Sequence, residues 1–167
     1  PYLATGSKVD VTQALPDWTG IETHQTNRAL RSLETFGVDP SISREEFFQY
    51  KFDVKYSRES VLANVRKRYL MEITEKGIPE DIQYAVRLIK NWDLSADSLN
   101  KNAALAILSL PNAFRIEDLK YDHASITKKI RENAKFLESN FGRIDIPMGK
   151  VFRLIRGDTN LPLSGGP

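Results

Sequence analysis

Apolar residues recur at intervals of three and four through the middle of this chain, and Gly and Pro cut the recurrence into short pieces. Gly37 and Pro40, Gly77 and Pro79, then Pro111 and Gly142 mark the cuts. That spacing predicts amphipathic helices, each with one apolar face. Gly just past a helix end and Pro near the next start are natural punctuation. The longest apolar run, Ala103 to Leu110, is interrupted by Ser109 and falls far short of a membrane span.

The first helix is expected from about Thr26, with Ala29, Leu30, Leu33 and Phe36 on one face and Gly37 as its stop. Ser43 and Glu46 have the spacing of a capping box ahead of Phe47, Phe48 and Tyr50. "KFDVKYS" breaks the period, and Ser57 reads as the cap of a third helix with Arg58 and Glu59 in its first turn. Val61, Leu62, Val65, Tyr69 and Ile73 form its stripe, and Gly77 ends it. Pro79, Glu80 and Asp81 open a fourth, with the carboxylates near the positive end of the dipole. Ile82, Ala85, Val86, Ile89 and Trp92 continue along one face.

A fifth helix is expected over Leu99–Leu110, apolar on several sides and therefore central. A sixth runs from about Asp122 to Asn140, with Ile126, Ile130, Ala134, Leu137 and Phe141 as its stripe and Gly142 beyond it. After that the period is lost. Val151–Ile155 reads as a strand and "DTNLPLSGGP" as loop. The expected fold class is therefore mainly α, with about six helices and extended ends. It divides into a lead-in over 1–25, a helical segment over 26–141, and a strand and loop over 142–167, all in one domain. A strand without a partner strand, and apolar residues at both ends (Tyr2, Leu3, Val9, Val11; Val151, Phe152, Leu154, Ile155), predict partners outside this stretch, hence a piece cut from a larger protein.

Composition narrows the chemistry. The 167 residues are 41% hydrophobic, enough for a packed core. The net charge of +2, with both signs mixed along the helices, gives no reason to expect nucleic acid or an anionic membrane as partner. No Cys is present, which removes disulfides, thiolate metal sites and a Cys nucleophile. The first residues lack the basic start and apolar stretch of a signal peptide. "RGD" at Arg156–Asp158 is too short to carry weight. "RKR" at Arg66–Arg68 should fan out around its helix rather than make a patch.

The two histidines, His24 and His123, lie far apart in the chain, and no metal-ligand spacing surrounds either. His123, in the first turn of the sixth helix, reads as a surface or capping residue; His24 reads as structural. Arg28 is different. It sits in the first turn of the first helix, where a cation opposes the dipole by some tenths of a kcal/mol. Stability alone would favour a carboxylate there.

Four stretches, "TNRALRSLE" (Thr26–Glu34), "SISREEFFQYKFDVKYS" (Ser41–Ser57), "NWDLSADSLNKNAAL" (Asn91–Leu105) and "FGRIDIPMGKVFRLIRGDTNLPLSGGP" (Phe141–Pro167), follow one another in this order. With these spacings the chain resembles the β-subunit of the penicillin acylase family, closest to its acyl-homoserine-lactone acylase and aculeacin A acylase branch. Met148 stands where that pattern has Trp before Gly149.

The resemblance implies a bacterial N-terminal nucleophile hydrolase of αββα architecture, periplasmic or secreted, that cleaves linear acyl amides such as penicillins or acyl-homoserine lactones. An exposed N-terminal Ser attacks the amide, its own α-amino group is the base, and an acyl-enzyme forms. An Asn side chain and backbone amides hold the oxyanion. The nucleophile and the oxyanion Asn are expected outside this chain, so the fragment alone is expected to be inactive. Its implied partners are the remainder of its own acylase and an N-acyl small-molecule substrate.

Arg28 after Asn27 matches an Arg that the family places at the edge of the site. Its implied role is to position the oxyanion Asn or the N-terminal amine. Asp17 only weakly matches a calcium-ligand Asp of some members, so neither a metal nor any other cofactor is expected here. A reading from another class stands beside this one: an autonomous helical module that binds a protein or peptide between its helices.

Overall fold

The computed structural model describes residues 25–112 and 120–165. The expected lead-in over 1–25 therefore lies almost wholly outside the described residues. The chain is mainly helical. Its helices are α1 (Asn27–Glu34), α2 (Arg44–Lys51), α3 (Val61–Lys76), α4 (Gln83–Asn91), α5 (Ala103–Ser109), α6 (His123–Phe141) and the single turn α7 (Met148–Val151). A two-stranded antiparallel hairpin follows, β1 (Arg153–Arg156) with β2 (Thr159–Pro162).

The caps follow from the residues present. Thr26 accepts from the Ala29 N–H. Ser43 and Glu46 complete the reciprocal capping box. Asp122 accepts from the amides of Ala124 and Ser125, and Gly142 ends α6 in the left-handed region at φ 73°. The fourth helix opens with a 3₁₀ turn, Glu80–Ile82, before α4.

The core lies between α3, α4, α5 and α6. Ala103, Ala104, Leu105 and Ala106 are wholly buried, which puts α5 at the centre, packed against α4, α6 and α7. Ile89, Ile130 and Leu137 are wholly buried around it. Each such side chain contributes roughly 1.5–3 kcal/mol over its exposed state.

Four expectations need correction. Ser57 does not cap α3; Ser60 does, accepting from the Ala63 N–H. Ser57 is drawn away because its hydroxyl donates to Glu34 at 2.7 Å. The fifth helix begins at Ala103, not Leu99. Ahead of it Asp93, Asp97 and Asn100 each accept from a backbone N–H two residues on, and these local bonds displace the helix. Met148–Val151 forms a helical turn where extended chain was expected.

The fourth correction concerns the strand. Val151 and Phe152 precede it, and its partner is inside the chain: Leu154 pairs with Leu161 and Ile155 with Asn160. "TNLP", read as loop, is that partner, because Gly157 takes φ 54° and lets the chain reverse within two residues. The strand is therefore paired within the chain and needs no outside strand.

The described segments converge on the turn at 92–100. The Trp92 indole N–H donates to the buried Ser95 carbonyl at 2.8 Å. Tyr56 N–H donates to Leu94 O, and Ala96 N–H donates to Val54 O. Met148 and Gly149 donate to Asn100 O and Ser98 O, and Gly165 donates to Ala96 O. Leu94 takes φ 66° to make the reversal, a conformation that costs an L-residue about 1–2 kcal/mol.

Gly149 is needed for contact. A Cβ there would stand 2.7 Å from the Pro162 Cβ and 2.8 Å from the Ser98 Cβ. Gly149→Ala is therefore expected to destabilise the chain by about 1–3 kcal/mol. A urea titration should show a lower midpoint at unchanged m-value.

Candidate functional site

The first turn of α1 places Arg28 on the surface, one residue after Asn27. Its neighbours on the helix are drawn inward. Asn27 Oδ1 accepts from the Ser57 N–H at 2.8 Å. Arg31 donates from Nε to Asp53 at 2.6 Å and from Nη1 to Glu34 at 2.7 Å. Glu34 Oε1 also accepts from the Ser57 hydroxyl and the Arg58 N–H. Two of the four family-like stretches, at 26–34 and 41–57, are thus joined by a polar network. Arg31 sits in the last turn, where a cation favours the helix dipole. Among the described residues, none bonds to the Arg28 guanidinium.

Burial pushes the Glu34 carboxyl up, but hydrogen bonds from Ser57, Arg31 and the Arg58 N–H together hold it below the usual range. Asp145, fastened by a two-point bond to Arg143, falls to about 2.

His123 is not the surface or capping residue expected; Asp122 is the cap. The His123 ring stacks on Tyr69 at 4.9 Å between centroids and is largely buried. Its Nδ1 lies 3.3 Å from Glu72 Oε2 but is not aligned for a hydrogen bond. Arg68 bonds Glu72 at 3.0 Å and covers the Tyr121 ring at 3.8 Å. Burial, reinforced by the Glu72 charge, pushes the Tyr121 phenol up to about 12. The hydrogen bond from Arg68 holds Glu72 ionised below its ordinary range.

Neither acid is therefore poised near neutral pH. A carboxylate that orients a histidine for catalysis needs an aligned Nδ1–H bond, and that bond is missing. Among the described residues, no hydroxyl bonds the His123 ring. The cluster is a strut between α3 and α6. The sequence held one signal for it, the Arg68, Glu72 spacing of four, but not the approach of Tyr121 and His123 from a distant segment.

The "RKR" run fans out as expected. Arg66 donates to the Ile89 and Lys90 carbonyls, Lys67 is exposed, and Arg68 turns to Glu72. His24 and Asp17 lie outside the described residues. Among the described residues no group of three or more His, Cys, Asp or Glu could hold a metal ion, and no helix is long and apolar enough to cross a membrane. Met148 is fully packed, 1% exposed, at the start of α7, so it serves the core.

No protein-family model matches this sequence, and no curated protein matches it.

The network gives a pH test. Glu34 and Asp145 both have folded values below their unfolded ones. Their stabilisation is complete above the unfolded values and is lost as pH falls through the folded ones. The unfolding free energy at constant salt should decline as the pH drops from the ordinary carboxyl range toward about 2. Glu34→Gln should flatten the acid limb and lower the neutral plateau by up to about 1 kcal/mol, since the pair is partly solvated.

Proposed function

We propose that this chain is a helical β-subunit segment of a penicillin-acylase-like amidohydrolase, with Arg28 as a positioning residue at the edge of the site. The reading takes the N-terminal Ser and the oxyanion Asn to be supplied by the rest of the same enzyme. It rests on the resemblance carried by the four stretches. One observation favours Arg28 in particular. Arg31, three residues on, is held by two carboxylates, whereas Arg28 is exposed at a helix start that electrostatics disfavours for a cation. Among the described residues no acid claims the Arg28 guanidinium, which suits a role toward an outside group.

Two uncovered apolar surfaces agree with a scaffold that meets more protein. α2 buries none of its residues, and Phe47 and Phe48 are exposed on it. On the hairpin, Leu154 and Leu161 face one another across the strands and are exposed together. In the acylase reading these faces meet the remainder of the enzyme. The substrate class is an N-acyl amide.

The test uses the protein that carries this segment. Arg28→Ala is expected to lower kcat by about a hundredfold, comparable to losing one oxyanion donor, with KM nearly unchanged. The unfolding free energy from a urea titration should stay within about 0.5 kcal/mol of the parent. The 167-residue chain alone is expected to release no acid from penicillin G or an acyl-homoserine lactone. Wild-type turnover in the Arg28→Ala enzyme would remove the role of Arg28. Hydrolysis by the isolated chain would remove the whole reading.

A further inference from the structure

A concavity lies elsewhere among the described residues, between α3 and α4. It is an open groove of about 840 Å³. Leu70, Val86 and Leu94 contribute apolar floor, and Met71 and Ile78 stand exposed along it. Four cations border it, Arg58, Arg66, Lys67 and Lys90, against the carboxylates of Glu75 and Asp93. The Asp93 carboxylate lies 3.8 Å from Lys55 and is partly neutralised.

The cations are not spread evenly. Arg66 donates to the Ile89 and Lys90 carbonyls, which brings the start of α3 beside the end of α4. Lys67 and Lys90 therefore belong to one end, while Glu75 and Ile78 belong to the other. No ion pair holds Arg58, Lys67 or Lys90 among the described residues.

We propose that this groove seats an acidic amphipathic helix of a protein partner. Three features fit that occupant. Two helices packed side by side leave a furrow that accepts a third helix by its apolar stripe. From Ala63 to Glu75 the lining follows α3 for about 18 Å, the length of a little over three helical turns. The basic end complements carboxylates and repels a second copy of itself. A small molecule is less well served, because the groove stays open along its length and could not enclose it. The proposal is independent of the acylase reading; it would hold for the isolated chain.

The probe is a fluorescein-labelled synthetic helix with Leu at i, i+3, i+4 and i+7 and Glu on the flanking positions. A control carries Lys for Glu at every such position. Fluorescence anisotropy with the 167-residue chain is expected to give micromolar binding of the Glu peptide, weakened by salt, and none of the Lys peptide. The double variant Lys67→Glu with Lys90→Glu is expected to weaken binding by roughly tenfold or more. Both side chains are exposed, so the fold should survive; the single Lys90→Glu variant gives a second reading with a smaller effect. Equal binding of the two peptides, no binding, or indifference to both variants would overturn the proposal. So would a dimer of the unliganded chain that Lys67→Glu dissolves, since it would assign the groove to a second copy.

Discussion

The indole N–H of Trp92, bonded to a buried carbonyl at Ser95, fixes a chain reversal at the edge of the core. A reversal at such a place has a problem that helices do not share: its amides and carbonyls have no regular ladder. Here local side chains satisfy some of them, and three distant segments satisfy others. Asn100 adds a second donor to the same Ser95 oxygen at 3.0 Å. Residues 54–56 and 148–149, and then Gly165, dock on the remaining groups. The tolerated left-handed Leu94 is the local cost of this arrangement. The hairpin hangs from this junction, which is how a pair of strands with almost every residue exposed keeps a defined place.

Much of the fold was legible because periodicity and punctuation agreed. The stripes Ile82–Ala85–Val86–Ile89–Trp92 and Ile126–Ile130–Leu137 are the buried faces of their helices. Where the reading failed, a competing local bond or a distant partner decided. Ser57 has the right character for a cap, but a carboxylate on α1 claimed its hydroxyl. The apolar run at 103–110 was recognised as central, while its start was misplaced because Asp97 and Asn100 can satisfy backbone amides without a helix. The strand expected at Val151–Ile155 falls at Arg153–Arg156, and its partner "TNLP" has little strand propensity of its own and pairs through the turn at Gly157.

Charges were harder to read than apolar residues, since their roles depend on what approaches from elsewhere. Arg28 and Arg31 are the same residue type at opposite ends of one short helix. One is spent on Asp53 and Glu34; the other stands at the surface. Likewise His123, plain in sequence, is wedged onto Tyr69 by the docking of α6 on α3. Its surroundings hold a firmly ionised carboxylate and a firmly neutral phenol, so this corner gives rigidity rather than proton transfer.

The junction at 92–100 also sets an order of assembly. The helices rely on bonds between near neighbours, which require no long loop to close. The junction instead joins groups distant in sequence, Ser98 and Ser164 being 66 positions apart, and such closures come late because the intervening chain must first surrender its freedom. On a ribosome, the turn would emerge with several of its acceptors still open. It would remain a loose bend, wetted by solvent, until residues 148–165 followed it out and closed it.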